Sequence, residues 1–203
     1  MVSAKLFAGL AALAITASAA PVTDESPIPG YSVEVLEWEV QATPDSAPIH
    51  VNGTVEDVIA ELVKINPDFA VAEDSIAARD SGLSKRYDID SSFCFGRWPA
   101  GRELDLQTGI RNLRAVSGRP QRGPGPGSCG RVSCTGRTGI WWCNDNTSLK
   151  YLNSFGDIAN GAQHIDGKCR KFANTGVFSY WEVSGQVFYK DNWNVYVRGQ
   201  DTC

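Results

Sequence analysis

Apolar and polar residues alternate in the stretch YSVEVLEWEVQAT (residues 31–43), and the alternation slips once, at Val35-Leu36. A period of two residues predicts a β-strand. The stretch TVEDVIAELVKINP has apolar residues at helical spacing, with Thr54 as its N-cap and Pro67 at its end. With the short strand PIHV between them, these patterns predict a small β-β-α unit.

Two more helices are predicted further along the chain, over residues 102–118 and 148–173. Their apolar faces comprise Leu106, Ile110 and Leu113 in the first, and Leu152, Phe155, Ile158, Ala162, Ile165 and Cys169 in the second. Between them, CGRVSC and GIWWC flank TGRTG, which predicts a β-hairpin. EVSGQVFYKDNWNVYVRGQDTC predicts a second hairpin that turns at KDN. The order of these elements predicts an α+β fold, a small antiparallel sheet covered by two helices and stapled by disulfides.

The first residues, MVSAKLFAGLAALAITASAA, have the features of a secretory signal peptide. Lys5 precedes an apolar run, and the small residues around Ala19 fit a cleavage site, so we expect residues 1–19 to be removed. A membrane anchor is the alternative, but the run is shorter than the roughly 20 apolar residues that a bilayer requires. We therefore expect a secreted, extracellular protein that is not an integral membrane protein.

Charge divides the remaining chain at the dibasic pair Lys85-Arg86. Residues 20–86 carry 13 Asp and Glu against four Lys and Arg, whereas residues 87–203 carry 14 Lys and Arg against 10 Asp and Glu. The resulting balances, −9 and +4, and the exposed character of AARDSGLSKR indicate a processing site. We predict that residues 20–86 are an acidic propeptide and that residues 87–203 are the mature domain. The propeptide would dock on that domain as a folding aid or a mask, or else serve as a disordered spacer.

All six cysteines follow the dibasic pair, at Cys94, Cys129, Cys134, Cys143, Cys169 and Cys203. An even number of cysteines in an exported chain predicts three disulfides. Centring the first hairpin on Gly136 places Cys129 opposite Cys143, and the suggested remaining pairs are Cys134 with Cys169 and Cys94 with Cys203. A metal site is the alternative for these thiols and His164, but the spacing lacks a C-x2-C pair, and we predict no metal.

Two sequons, NGT at Asn52 and NTS at Asn146, are candidate N-glycosylation sites. Asn146 follows the Trp-Trp-Cys strand in a polar stretch and is expected to be accessible. The predicted protein is therefore a glycoprotein.

The sequence offers little that predicts catalysis. The mature region has a single histidine, His164, inside a predicted helix, and neither G-x-S-x-G nor H-E-x-x-H is present. Asp145, Asp157 and Glu182 are carboxylates that a glycoside hydrolase could use, but acidic surfaces commonly offer such groups. We therefore expect neither an enzyme nor a cofactor, and keep a small hydrolase as the weakest alternative.

Aromatic residues give the better indication of binding. Trp141 and Trp142 are adjacent in a predicted strand, so their rings must point to opposite faces. Together with Trp193 they form our candidate ligand surface, of the kind that stacks on sugars or partners. Burial of all these rings in the core is the alternative. Seven arginines lie between Arg97 and Arg131, but a balance of only +4 does not favour nucleic acid.

The signal peptide, the acidic segment ending in Lys-Arg, and the pattern GPGPGSCGRVSC…IWWCNDN…SFGDIANGAQHI…GQVFY…NWNVYV resemble secreted cysteine-rich proteins of filamentous fungi. Those proteins are grouped with the necrosis-inducing extracellular effectors. The order of helices and hairpins is also similar to the killer toxins of smut fungi, which are small α/β sandwiches with more disulfides.

The resemblance implies a non-enzymatic effector or toxin-like protein with a target on a host or competitor cell surface. The alternative function is a binding module for cell-wall polysaccharide, whose partner would be a glycan. The resemblance supplies no catalytic residue.

Overall fold

The structure is a computed structural model that describes residues 28–43, 45–69 and 87–203. The predicted signal peptide and the Lys85-Arg86 processing pair lie outside the described residues. The two described parts before residue 70 are called the N-terminal segment below, and residues 87–203 are called the C-terminal domain.

A six-stranded mixed sheet forms the centre of the fold, in the order β1-β7-β8-β13-β12-β4. Its strands are β1 (Ser32–Val33), β4 (Ile89–Cys94), β7 (Ser128–Thr135), β8 (Thr138–Asn144), β12 (Gly185–Tyr189) and β13 (Trp193–Arg198). The strands contributed by the C-terminal domain pair antiparallel, whereas β1 pairs parallel to β7. The N-terminal segment therefore adds one strand to the edge of the sheet.

Smaller sheets surround this centre. They comprise β2 (Glu37–Val40) with β3 (Ile49–Asn52), β5 (Gly101–Arg102) with β10 (Lys171–Asn174) and β11 (Ser179–Val183), and β6 (Gln121–Arg122) with β9 (Lys150–Tyr151). Strand β11 lies in the middle of its sheet and pairs with β5 at only two positions. The β10–β11 hairpin consequently extends beyond the two positions at which β11 pairs with β5.

Three helices are described: α1 (Val55–Ile65), α2 (Glu103–Ala115) and α3 (Phe155–Cys169). Helices α1 and α3 begin with a carboxylate that accepts a backbone N–H three residues earlier, Asp57 from Thr54 at 2.8 Å and Asp157 from Ser154 at 3.1 Å. The predicted helices are confirmed with shorter bounds. Helix α3 ends at Cys169, because the following residues form β10.

Both predicted hairpins of the C-terminal domain are present. Between β7 and β8 the turn residues Gly136 and Arg137 have φ angles of 52° and 74°, the left-handed geometry that suits a two-residue hairpin. Between β12 and β13, Asn192 has φ 59° and donates its N–H to the Tyr189 carbonyl at 3.0 Å. The turns predicted at TGRTG and KDN are therefore confirmed.

The sheet buries residues on both faces. One face carries the main core with the three helices, including Ile140, Trp142 and Val195. The opposite face carries a second cluster of Cys129, Cys143, Trp141 and Tyr196. The opposite orientation of the adjacent rings Trp141 and Trp142 is thus confirmed.

The N-terminal segment is built into the main core. Eight of its side chains belong to that cluster: Leu36, Trp38, Val40, Ala42, Val51, Val55, Val58 and Leu62. The Trp38 ring stacks on Phe155 of α3 with centroids 3.9 Å apart, and α1 packs against α2 and β7. The predicted β-β-α unit is present, and the slip at Val35-Leu36 marks the point where the predicted strand divides into β1 and β2.

The α+β class is confirmed, but the predicted small antiparallel sheet with two helices is wrong in detail. The central sheet has six strands and is mixed, and three helices are described. The reason is that the N-terminal segment contributes β1 to the sheet and α1 to the helical layer, and that β4 of the C-terminal domain adds a further strand. The local sequence pattern predicts that segment only as a separate β-β-α unit.

Candidate functional site

The β10–β11 hairpin is held by a local turn. The side chain of Asn174 accepts the Gly176 N–H at 2.8 Å, and the Thr175 N–H donates to the Phe178 carbonyl at 2.9 Å. Gly176 has φ 82°, which a glycine adopts without strain. The sequence Asn-Thr-Gly therefore turns the chain and leaves Val177 and Phe178 at the tip.

Four large apolar side chains of this hairpin face solvent. Their exposed fractions are 56% for Phe172, 80% for Val177, 72% for Phe178 and 47% for Trp181. Phe172 and Trp181 are cross-strand partners, and their rings meet edge to face with centroids 5.5 Å apart. A grouped apolar surface on a small protein marks an interaction site more often than scattered single residues do.

Basic side chains surround the base of the hairpin. The Arg170 guanidinium lies 5.4 Å from the centroid of the Trp181 ring, and the Lys171 Nζ lies 4.2 Å from that of Phe95. Arg170 also pairs with Glu103 at 3.8 Å, and Lys171 with Glu182 at 3.1 Å. The hairpin therefore combines an apolar tip with a base that has both cations and carboxylates.

The predicted ligand surface of Trp141, Trp142 and Trp193 is not exposed, because all three side chains are buried. Trp142 lies under the helices and Trp193 stacks on Tyr189 with centroids 3.9 Å apart. Trp141 stacks on Tyr196 and donates its Nε1–H to Asp201 at 2.7 Å. The predicted ligand surface is therefore wrong, because neither face of the central sheet is open to solvent at these positions.

The second face is covered partly by the N-terminal segment. Ile28, Tyr31 and Val33 pack against the cluster that contains Trp141, together with Trp98. Burial raises the pKa of Tyr31, and nearby Asp145, which accepts its hydrogen bond, raises it further.

The six predicted cysteines form three disulfides: Cys129–Cys143, Cys94–Cys169 and Cys134–Cys203. The first was expected from the hairpin register, whereas the other two suggested pairings are wrong. A β-bulge at Val132 is the cause, because β7 and β8 shift register between Arg131 and Ser133. Cys134 consequently returns to the face of Cys129, where the C-terminal residues run.

The carboxylates considered for catalysis have structural partners. Asp157 accepts backbone N–H groups from Asn153 and Ser154, at 3.0 and 3.1 Å. Asp145 accepts from the Asn194 amide at 2.7 Å, and Glu182 forms the ion pair with Lys171. Each is thus engaged in holding the fold.

His164 is half-buried in α3, and burial followed by the charge of Lys168 lowers its pKa. Among the described residues, no group of three or more histidine, cysteine or acidic side chains is arranged to hold a metal ion. Within the same ranges, no helix has the length and apolar character needed to cross a membrane.

The two sequons differ in their surroundings. Asn52 is exposed at the end of β3. The Asn146 amide nitrogen donates to the carbonyls of Asp191 and Asn192, both at 3.0 Å. A glycan on Asn146 would have to replace part of this bonding, so Asn52 is the freer position. Glycosylation of both remains a prediction.

Two clefts border the N-terminal segment. One has a volume of about 520 Å³ and lies between Val40 and Val116. The other, of about 440 Å³, is lined by Glu37, His50 and Arg119. The His50 Nδ1 lies 3.1 Å from the Glu37 carboxylate. Both clefts follow the junction of the segment with the C-terminal domain.

No family model matches this sequence, and comparisons with curated proteins and with solved structures find no match either. The resemblance to fungal effectors and killer toxins therefore remains a hypothesis. The function has to be argued from the surfaces described above.

This hairpin is not among the predicted elements, because residues 171–173 fall at the end of a predicted helix and residues 174–181 lie outside every predicted element. A usable signal was present, since Asn174-Thr175-Gly176 separates the apolar residues Phe172 and Trp181. What the sequence could not show is that no other part of the described fold covers them.

Proposed function

We propose that this chain is a secreted, non-enzymatic, toxin-like protein that acts on a host or competitor cell by binding its membrane surface. The contact is the β10–β11 hairpin. The observation that carries the proposal is the group of four exposed apolar side chains on one projecting hairpin, three of them aromatic.

The hairpin has the chemistry that suits a lipid interface. Aromatic side chains are enriched at the interface between membrane and water. Burying one apolar side chain there contributes about 1.5–3 kcal/mol to the free energy of binding. Lys and Arg near an anionic surface contribute about 1 kcal/mol each. Arg170 and Lys171 stand beside the aromatic pair, although their partners Glu103 and Glu182 offset part of that attraction. The expected result is reversible binding that is stronger on anionic lipid.

Vesicle sedimentation of the secreted chain tests the proposal, using neutral phosphatidylcholine alone or mixed with phosphatidylserine. The double variant Val177→Ser with Phe178→Ser should lose binding, since it removes the apolar tip without touching the core. The matched control is Leu104→Ser, which changes an exposed apolar residue of α2. Equal binding by the double variant and the control would contradict the proposal.

Binding of cell-wall polysaccharide is the alternative, and the Phe172–Trp181 pair is the observation that favours it, because exposed aromatic rings stack on sugars. A glycan array with Trp181→Ala as control separates the two functions. Glycan binding without vesicle binding would replace the membrane proposal.

For the toxin-like activity, the purified protein is infiltrated into plant tissue and added to growing fungi. No effect in either assay would refute that part.

A further inference from the structure

The N-terminal segment is joined to the C-terminal domain without a disulfide, since all three bridges lie within residues 87–203. At the sheet edge, Ser32 and Glu34 donate their N–H groups to the carbonyls of Gly127 and Cys129, each at 2.9 Å. Strand β1 thus occupies an edge of β7 that would otherwise present unpaired backbone groups. Such an edge accepts an added strand.

A buried arginine lies beside this edge. Arg122 is only 3% exposed, and its guanidinium occupies the space left by the missing side chain of Gly130. Its Nη1 donates to the Glu34 carbonyl at 3.1 Å and lies 3.8 Å from the Glu34 carboxylate. Among the described residues, its Nε and Nη2 have no hydrogen-bond partner.

The pairing of Arg122 is poor for a charge so well buried. Burial lowers its pKa to about 10, and Glu34 only partly opposes that effect. Removing a cation from water costs free energy unless an anionic partner lies close to it and each of its N–H groups has a hydrogen-bond acceptor. The Glu34 side chain is instead 58% exposed and beyond hydrogen-bond distance. The position is therefore suited to an anion that approaches more closely than Glu34 does.

A second carboxylate position lies further along the same strand. Glu56 of α1 accepts the Cys134 N–H at 2.9 Å and the Ser133 hydroxyl at 2.7 Å. Thr135 and Asn112 donate to it as well, at 3.3 and 3.2 Å. The β7 edge thus offers backbone pairing between two positions that bind carboxylates.

From this arrangement we infer that the β7 edge is a binding site for an acidic, extended peptide of a partner protein. The N-terminal segment occupies the site until it is removed. The partner strand would run parallel to β7, as β1 does, with one carboxylate at Arg122. The inference depends on cleavage after Arg86, and it concerns a different surface from the β10–β11 hairpin.

The test uses residues 20–203, kept intact or cleaved after Arg86 by a dibasic-specific protease. The probe is a fluorescent peptide with the sequence of the whole N-terminal segment, residues 28–69, which includes β1 and the core side chains of the segment. Its binding is followed by fluorescence anisotropy. The cleaved protein should bind the peptide and release its own segment, whereas the intact protein should not bind. A peptide with Glu34→Gln should bind about threefold more weakly, a modest loss because the Glu34 carboxylate is exposed and lies 3.8 Å from Arg122.

Arg122→Gln should cause the same loss on the protein side, and the exposed Arg119→Gln is its matched control. If Arg122→Gln fails to fold, the peptide variant alone decides, because it leaves the protein unchanged. Equal binding to intact and cleaved protein, equal binding of both peptides, or a cleaved segment that the peptide cannot displace would each overturn the inference.

Discussion

Glu56 offers a sharp test of how the N-terminal segment is attached. Its carboxylate accepts hydrogen bonds from Asn112 on α2 and from Ser133, Cys134 and Thr135 on β7. We predict that Glu56→Ala destabilises the full chain, because the backbone N–H of Cys134 loses its acceptor and the three side chains lose theirs. Glu56→Gln should be milder, since one acceptor oxygen of similar geometry remains.

The magnitude follows from the kind of bond that is lost. A hydrogen bond to a charged group contributes about 1.5–3 kcal/mol. The four contacts share one half-buried carboxylate, so their contributions do not add, and water can replace some of them. We expect Glu56→Ala to lower the free energy of unfolding by about 2–4 kcal/mol and Glu56→Gln by about 1–2 kcal/mol.

Urea unfolding followed by tryptophan fluorescence measures this difference. The matched control is Glu61→Ala on the same helix, which removes an exposed ion pair with Lys64 at 2.6 Å. Such surface pairs contribute about 0–1 kcal/mol. Values for Glu56→Ala and Glu61→Ala that agree within about 0.5 kcal/mol, the usual range for surface changes, would refute the reasoning.

Three further predictions concern the covalent and ionisable groups. Thiol titration in denaturant should find no free cysteine, and Cys134→Ser with Cys203→Ser should lower stability by roughly 2–5 kcal/mol in thermal unfolding; two or more reactive thiols would contradict this. Burial, followed by the charge of Asp157, raises the pKa of Tyr87 from 10.0 to about 12. The contribution of the Tyr87 hydroxyl to stability is therefore present below pH 10 and is lost as the pH rises toward about 12. Tyr87→Phe should flatten that alkaline loss, measured by unfolding at each pH. Intact-mass analysis should find a secreted product that starts at Tyr87, and a product that starts at residue 20 or 21 would refute the proposed processing.

The regular parts of the fold could be predicted because local patterns determine them. Helical periodicity located α1, α2 and α3, and the turn at Gly136 set the Cys129–Cys143 register. The other disulfides could not be deduced by counting residues. One extra residue at Val132 moves Cys134 to the opposite face of the sheet, and no pattern in the local sequence predicts that bulge.

The candidate site was harder to predict, because exposure depends on residues distant in sequence. Alternation showed that Trp141 and Trp142 face opposite ways, but not that Tyr31 would pack near one ring and the helices over the other. Conversely, Trp181 lies in a strand whose alternation looks like that of any half-buried strand. Only the tertiary arrangement shows that its apolar face remains uncovered.

The central claim is that the β10–β11 hairpin enters a membrane surface, and lipid-borne quenching of Trp181 tests it most directly. Vesicles that contain phosphatidylserine and brominated acyl chains quench a tryptophan whose ring reaches the boundary between the headgroups and the acyl chains. Among the other five tryptophans, four are buried and Trp98 stacks on the buried Tyr196, so they should contribute little. We predict quenching in the wild-type chain and its loss in Trp181→Phe. Absence of quenching, or equal quenching in both proteins, would contradict the proposed function.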